Sequence, residues 1–307
     1  GTQAITGAGF EPDFTWIKIR TLAYNHYLLD SVRGVTEVLQ SNLPSAESTQ
    51  STSLTSFDTN GFTVGSKLNV NANTEDFVAW NWKAGGAAVS NTDGTITSQV
   101  SANVDAGFSI VSQVASTGSW TVGHGLDVAP EIVFYKNLNA ANAWAVWVTG
   151  FTDRDTLYLN LTNAKTSVGS GTLHGSVPTS TTIGTSSWLA NSGAGVIAYC
   201  FHSVDGYSKI GSYVGNGSAT GPIITLGFEP AFVMVKNTTG TGLWLMSDNK
   251  RQTAATKTTY LQAQSTDAEY SPYTWIEYLS NGFQLKNTGS SLNTNGSTYI
   301  FMAFAAT

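Results

Sequence analysis

The sequence predicts an all-β protein of three tandem antiparallel β-sandwich repeats, jelly-roll-like in type. Three observations lead there. One motif recurs three times in register along the chain. Short apolar runs rich in Val, Ile, Phe, Tyr, Trp and Thr alternate with Gly, Asn, Ser and Asp, a spacing typical of strands and turns. Helix signals are almost absent. Tyr24 to Gln40 can be drawn as a helix, but the corresponding stretches around Trp144 and Trp244 carry Trp, Val, Thr and Gly and read as strands.

The motif is Pro, any residue, apolar, any residue, two apolar residues, Lys. It stands at Pro12-Asp-Phe-Thr-Trp-Ile-Lys18, Pro130-Glu-Ile-Val-Phe-Tyr-Lys136 and Pro230-Ala-Phe-Val-Met-Val-Lys236. Eight residues past each Lys a bulky residue opens a second strand, at His26, Trp144 and Trp244. Val38-Leu-Gln, Tyr158-Leu-Asn and Tyr260-Leu-Gln follow. Asn60-Gly61-Phe62 and Asn281-Gly282-Phe283 mark a shared turn. Each copy closes on an apolar strand, ending at Trp82, Phe201 and Phe304. The aromatics and methionines of these strands, from Trp16 to Phe304, are the expected cores.

This divides the chain into a first repeat over 1–87, a linker with a small hairpin over 88–103, a second repeat over 104–203 and a third over 204–307. The second and third open on an extra strand, led by Phe108 and Tyr207, that the first lacks. Without an initiator Met, the natural N-terminus is expected upstream. The first repeat is then completed by upstream residues or by a partner subunit, because an unpaired strand edge recruits another strand. The copies are expected to stack end to end.

Composition narrows the function. Of 307 residues 41 % are hydrophobic, ample for packed cores, and only 11 % are charged, against a usual share of about 25 %. Ser, Thr, Asn and Gly take the place of charge, as in extracellular β-proteins. Fourteen Lys and Arg make no basic stripe, so nucleic-acid binding is not expected. No apolar run reaches the length that spans a bilayer, and no signal peptide is visible. The lone Cys200 lies in an apolar run and reads as a buried, inert thiol.

With these residues laid out, the chain resembles a repeat domain of structural and inferred tail-fibre proteins of marine bacteriophages. The likeness rests on Gly9-Phe-Glu-Pro-Asp-Phe-Thr-Trp-Ile-Lys18, Asp30-Ser-Val-Arg-Gly34, Leu54-Thr-Ser-Phe57, Asn60-Gly-Phe-Thr63 and Ala79-Trp-Asn-Trp-Lys-Ala-Gly-Gly86. It runs on through Gly94-Thr-Ile-Thr-Ser-Gln-Val-Ser-Ala102 into Asp105-Ala-Gly-Phe-Ser-Ile-Val111. The resemblance implies a virion component assembled in the host cytoplasm and supplies no catalytic residues. It leaves tail fibre, head fibre and capsid decoration open.

Catalytic and metal chemistry find little footing. His26, His124, His174 and His202 show no paired spacing, whereas a zinc site needs three or four ligands. No Gly-x-Ser-x-Gly elbow opens a helix. No cofactor is indicated. Asp30 with Arg33 and Asp248 with Arg251, at the same register in two repeats, are the most specific polar feature. They read as a capped turn with a structural ion pair, in preference to a saccharide clamp. Trp188, Tyr270, Tyr273 and Trp275 lie in loop-like stretches and are the candidate surface-binding aromatics.

The expectation is a non-enzymatic protein of the virion exterior, a tail fibre or other appendage contacting the host. Its partners are other virion proteins, copies of itself with a trimer favoured, and a host-surface glycan. The alternatives are a capsid decoration or head-fibre protein and a secreted carbohydrate-binding module.

Overall fold

The computed structural model describes residues 1–252, 258–271 and 274–306. All strand pairing in it is antiparallel. The first stretch holds β1 (Gln3–Thr6), β2 (Phe14–Ile19), β3 (Tyr27–Asp30), β4 (Glu37–Val38), β5 (Ser48–Thr49), β6 (Leu54–Asp58) and β7 (Gly61–Val64). A single helical turn, α1 (Leu68–Asn71), leads to β8 (Phe77–Trp82). Its sheets run β3-β2-β8 and β1-β7-β6, with a small β4-β5 ribbon.

The second stretch holds β9 (Val89–Asn91), β10 (Ser98–Asn103), β11 (Phe108–Val114), β12 (Ser119–Gly123), β13 (Ile132–Asn137) and β14 (Ala145–Val148). It continues with β15 (Asp155–Tyr158), β16 (Thr166–Ser167), β17 (Thr182–Ser186) and β18 (Gly195–Phe201). Eight strands form one sheet in the order β16-β15-β14-β13-β18-β11-β10-β9, faced by β12-β17.

The third stretch holds β19 (Ser208–Val214), β20 (Ile223–Thr225), β21 (Pro230–Asn237), β22 (Trp244–Asp248) and β23 (Leu261–Gln262). It ends with β24 (Ile276–Leu279), β25 (Gly282–Leu285) and β26 (Thr298–Ala305). Here the sheets run β19-β26-β21-β22-β23 and β20-β25-β24.

One three-strand order therefore recurs: β3-β2-β8, β14-β13-β18 and β22-β21-β26. The central strands, which carry the Pro-to-Lys motif, are buried on both faces. Alternate residues point opposite ways. Phe14 and Trp16 of β2, Phe134 of β13 and Phe232 and Met234 of β21 enter one common apolar cluster. Their neighbours enter three separate clusters, Ile17 in the first stretch, Val133 and Tyr135 in the second, Val233 and Val235 in the third. Trp80, Trp82, Tyr199, Phe201, Met302 and Phe304 also belong to the common cluster. It encloses an apolar-lined void of about 20 Å³, the kind of space that stays dry.

Equivalent backbone hydrogen bonds tie each stretch to the next. The N–H of Glu47 donates to the carbonyl of Leu138 at 2.9 Å, that of Lys165 to Thr238 at 2.8 Å, and that of Glu269 to Arg20 at 2.6 Å. First joins second, second joins third, and third joins first. The ring closes. This corrects the expected end-to-end stacking, and the physical reason is apolar surface. Each motif strand has a second apolar face that its own sandwich partner cannot cover, and only the other two stretches can.

Backbone crowding fixes the shared hairpin turn. Gly61 and Gly282 have φ of 141° and 151°, and a Cβ there would lie 2.0 Å from the carbonyl oxygens of Ile5 and Ile224. Glycine alone admits that approach. The connection after β8 forms a hairpin of β9 and β10 that extends the second stretch's sheet beyond β11 and leaves the first stretch's sheet at three strands.

Candidate functional site: junction clamps and an open sheet edge

The polar groups singled out in the sequence lie at the junctions of the ring. Asp30 ends β3, and its Oδ1 accepts the backbone N–H groups of Val32 and Arg33, at 3.1 and 2.8 Å. Its Oδ2 takes Arg33 Nε at 2.5 Å and the Tyr199 hydroxyl of β18 at 2.7 Å. Arg33 also donates to Glu47 and to the carbonyls of Leu28 and Glu37. Asp248 and Arg251 repeat the turn after β22, with Nε to Oδ2 at 2.6 Å. Here the cross-junction donor is the Trp80 indole of β8, 3.1 Å from Asp248 Oδ2, and the guanidinium lies 5.3 Å from the Trp80 ring centre. Both pairs are buried. A buried charge must be fully hydrogen-bonded, and these acidic groups spend their oxygens on turn and junction. Nothing in that arrangement leaves a fork free for a saccharide.

A second polar set carries no signal of role in the sequence beyond its recurrence. Lys18, Lys136 and Lys236 are wholly buried at the end of the motif. Lys18 Nζ donates to the carbonyls of Ile19 and Leu22, Lys136 Nζ to those of Asn137 and Ala140. Lys236 Nζ donates to Gly242 and, across the junction, to Thr162 of the second stretch. Burial lowers each from its ordinary 10.5 to about 8, with Asp267 and Glu269 opposing that shift at Lys18.

The bulky residue that opens the second strand reaches over each junction. Trp144 Nε1 donates to the carbonyl of Gln40 and Trp244 Nε1 to that of Tyr158, each at 2.9 Å. His26 takes the third position. Its Nδ1 accepts the Trp16 indole N–H at 2.9 Å, so Nε2 carries the proton toward the carbonyl of Gln262 at 3.0 Å. The ring is completely buried, as are Trp144 and Trp244. Burial, then the nearby Lys18 charge, pushes its pKa down to about 3 and keeps it neutral.

The candidate surface aromatics do not form one platform. Trp188 is exposed on the second stretch, after β17. Tyr270 is exposed on the third and meets Tyr260 edge-on, as does the half-buried Trp275. Tyr273 lies outside the described residues. Among the described residues, no three His, Cys, Asp or Glu come together to hold a metal. Cys200 is buried beside Ser109, and burial raises its thiol to about 12.

The feature that distinguishes one stretch from the others is an edge. β18 is flanked by β13 and β11, and β26 by β21 and β19. Among the described residues, β8 pairs with β2 alone. Its residues are mostly half-buried, whereas those of β18 and β26 are almost all buried. A groove of about 390 Å³ opens on its inner side, lined by Ile5, Ile17, Phe62, Val70, Phe77 and Ala79. Another of about 330 Å³ opens toward the third stretch, between Trp80, Trp82, Tyr207, Phe232 and Phe304.

The architecture defines an all-β protein of many antiparallel sheets around aromatic cores. The chain belongs to the family described as "Domain of unknown function (DUF7483)", whose model matches residues 1–307. No curated protein sequence matches it. Among solved structures, a chain reported under "The Triple Jelly Roll Fold and Turret Assembly in an Archaeal Virus" is 11 % identical. That alignment covers 99 % of this chain and 82 % of that one with a TM-score of 0.16, and a score so low carries no argument.

Proposed function

We propose that this chain is a non-enzymatic structural protein of the exterior of a bacteriophage particle, a tail fibre or similar appendage. In this reading it is three tandem jelly-roll-like β-sandwich domains, over 1–87, 104–203 and 204–307, with the 88–103 hairpin between the first two. The observation that carries it is the closed ring. Three double-faced sheets spend their second apolar faces on each other, which suits a structural scaffold. The charge-poor surface and the sequence resemblance to phage structural proteins support the same reading.

The partners proposed are other virion proteins and further copies of the chain, with host-surface glycan contacted through loops. Electron microscopy of the intact source particle, labelled with antibody against residues 1–307, tests the proposal. Label on tail appendages is the expected result, label on the head favours a decoration or head-fibre role, and unlabelled particles overturn a virion role. A carbohydrate-binding module is the second reading, because Trp188 and Tyr270 are exposed. It requires saturable glycan binding by the isolated chain that is lost in Trp188→Ala or Tyr270→Ala.

A further inference from the structure

We propose that the mouth of the second stretch's sandwich binds one neutral sugar residue, a reading that rests on the host-glycan contact above and gives it a place. A hollow of about 310 Å³ opens there. Val133, Tyr135, Trp147 and Cys200 of the large sheet point into the stretch's own core. Side chains alternate along a strand, so Glu131, Thr149 and His202, each one residue past a strand end, continue that inner row. Backbone bonds hold the row in line: Thr149 N–H donates to the Glu131 carbonyl at 2.7 Å and Glu131 N–H to that of Phe201 at 2.8 Å. Val128, in the connection from β12, and Pro178, in the connection to β17, line the hollow as well.

Two of the lining side chains have polar atoms that the fold does not use. Trp147 Nε1 and His202 Nε2 are buried without a hydrogen-bond partner. His202 Nδ1 can only donate to the carbonyl of Ser203, at 2.8 Å, which leaves Nε2 of the neutral ring an acceptor. The hollow thus holds one spare donor and one spare acceptor, groups that are costly to bury unmet. Among the described residues, the central void and the two grooves beside β8 have no such group in their walls. The shared fold demands neither residue: Leu29 and Ser247 stand at the register of Trp147, Lys83 and Ala305 at that of His202. A pyranose matches this wall. Its hydroxyls both donate and accept, meeting the indole, the imidazole and the exposed Thr149, while its C–H face suits Pro130, Pro178 and Val128. The volume takes one such ring, at the small end of ligand pockets. Glu131 Oε2 accepts the Ser203 N–H and hydroxyl, which fixes the wall's one carboxylate and disfavours acidic sugars.

The test is a titration of the intact 307-residue protein, nitrogen-15-labelled at tryptophan, followed by the indole N–H signals in NMR. The probes are the methyl glycosides of glucose, galactose, mannose and N-acetylglucosamine, with methyl glucuronide as the anionic control. Trp147→Phe identifies the Trp147 signal among the nine. At least one neutral glycoside is expected to shift that signal saturably in the millimolar range, and the glucuronide is not. Thr149→Val keeps the shape of an exposed side chain and should weaken binding roughly tenfold. Glu131→Gln keeps an acceptor for Ser203 and should admit the glucuronide. If that variant does not fold, Thr149→Val still decides. No saturable shift of the Trp147 signal overturns the pocket, as does a shift that Thr149→Val leaves unchanged. A shift of the Trp188 signal in its place also overturns the pocket but leaves the host-glycan contact standing. A response to the free glycoside without retention of the protein on a polysaccharide ending in that sugar overturns the glycan assignment.

Discussion

The first and second junctions of the ring share a backbone and differ in chemistry. Between the first and second stretches, Asp30, Arg33 and Tyr199 form a buried hydrogen-bonded set. At the same register between the second and third stand Val148, Phe151 and Met302, with no charge among them. Val148 and Met302 belong to the common core and Phe151 packs against it. The bridging backbone bond is present in both, Glu47 to Leu138 and Lys165 to Thr238. The closure is thus carried by main chain and shape, and the side chains can be polar or apolar provided both partners change together. That agrees with the general finding that a buried ion pair is replaceable by carbon but costly to halve.

The largest expected effect comes from halving the polar clamp. Arg33→Met leaves Asp30 buried without its cation and should cost about 3–5 kcal/mol in urea unfolding. The triple change Asp30→Val, Arg33→Phe and Tyr199→Met puts the second junction's three core side chains into the first, frees the partly exposed Glu47 from its Arg33 contact, and should recover most of that loss. A triple variant no more stable than Arg33→Met would show that the two junctions are not interchangeable.

Acid should strike the third junction, at His26, and the interior of the second stretch, at His174. His26 and His174 have ordinary values near 6.5 when unfolded, and burial pushes both down to about 3 in the fold. Between those pH values only the unfolded chain takes up the protons. Stability is therefore full above pH 6.5 and falls with pH by about 1.4 kcal/mol per unit for each histidine. His26→Gln should remove roughly one histidine's share of that slope in chemical unfolding at pH 6 to 4.

Alkali acts in the other direction at first. The three motif lysines titrate near 8 folded and 10.5 unfolded, so from pH 8 upward the fold sheds protons that the unfolded chain keeps. Stability should rise by about 1 kcal/mol per lysine between pH 8 and 9. Above that, Cys200 and the buried tyrosines, whose values burial raises, reverse the trend. Lys136→Met should flatten the rise by about a third. The smallest effect is Trp144→Phe, which keeps a smaller aromatic ring but removes the indole donor to Gln40. A cost of about 1 kcal/mol is expected, against none for a Trp on the exposed surface such as Trp188→Phe.

Strand positions were legible because they rest on local pattern. Phe77–Trp82 was readable as a strand from its apolar run, and the Asn60-Gly61 turn from residue chemistry alone. The ring was not read, although its signal was present: Phe14-Thr-Trp-Ile-Lys-Ile19 lacks the polar alternation of a strand with one wet face. What no local pattern supplies is the identity of the covering surface, since Tyr199 and Asp30 are 169 positions apart. The missing strand of the first stretch was legible by comparison with Phe108 and Tyr207. The two grooves beside it were not, because the inner one needs β1, β2, β7 and α1 packed together and the outer one the third stretch folded against the first.

A ring of three identical subunits would repeat every edge and every substitution three times. Here the three parts share one polypeptide, so each junction can change its chemistry alone, and assembly does not depend on concentration.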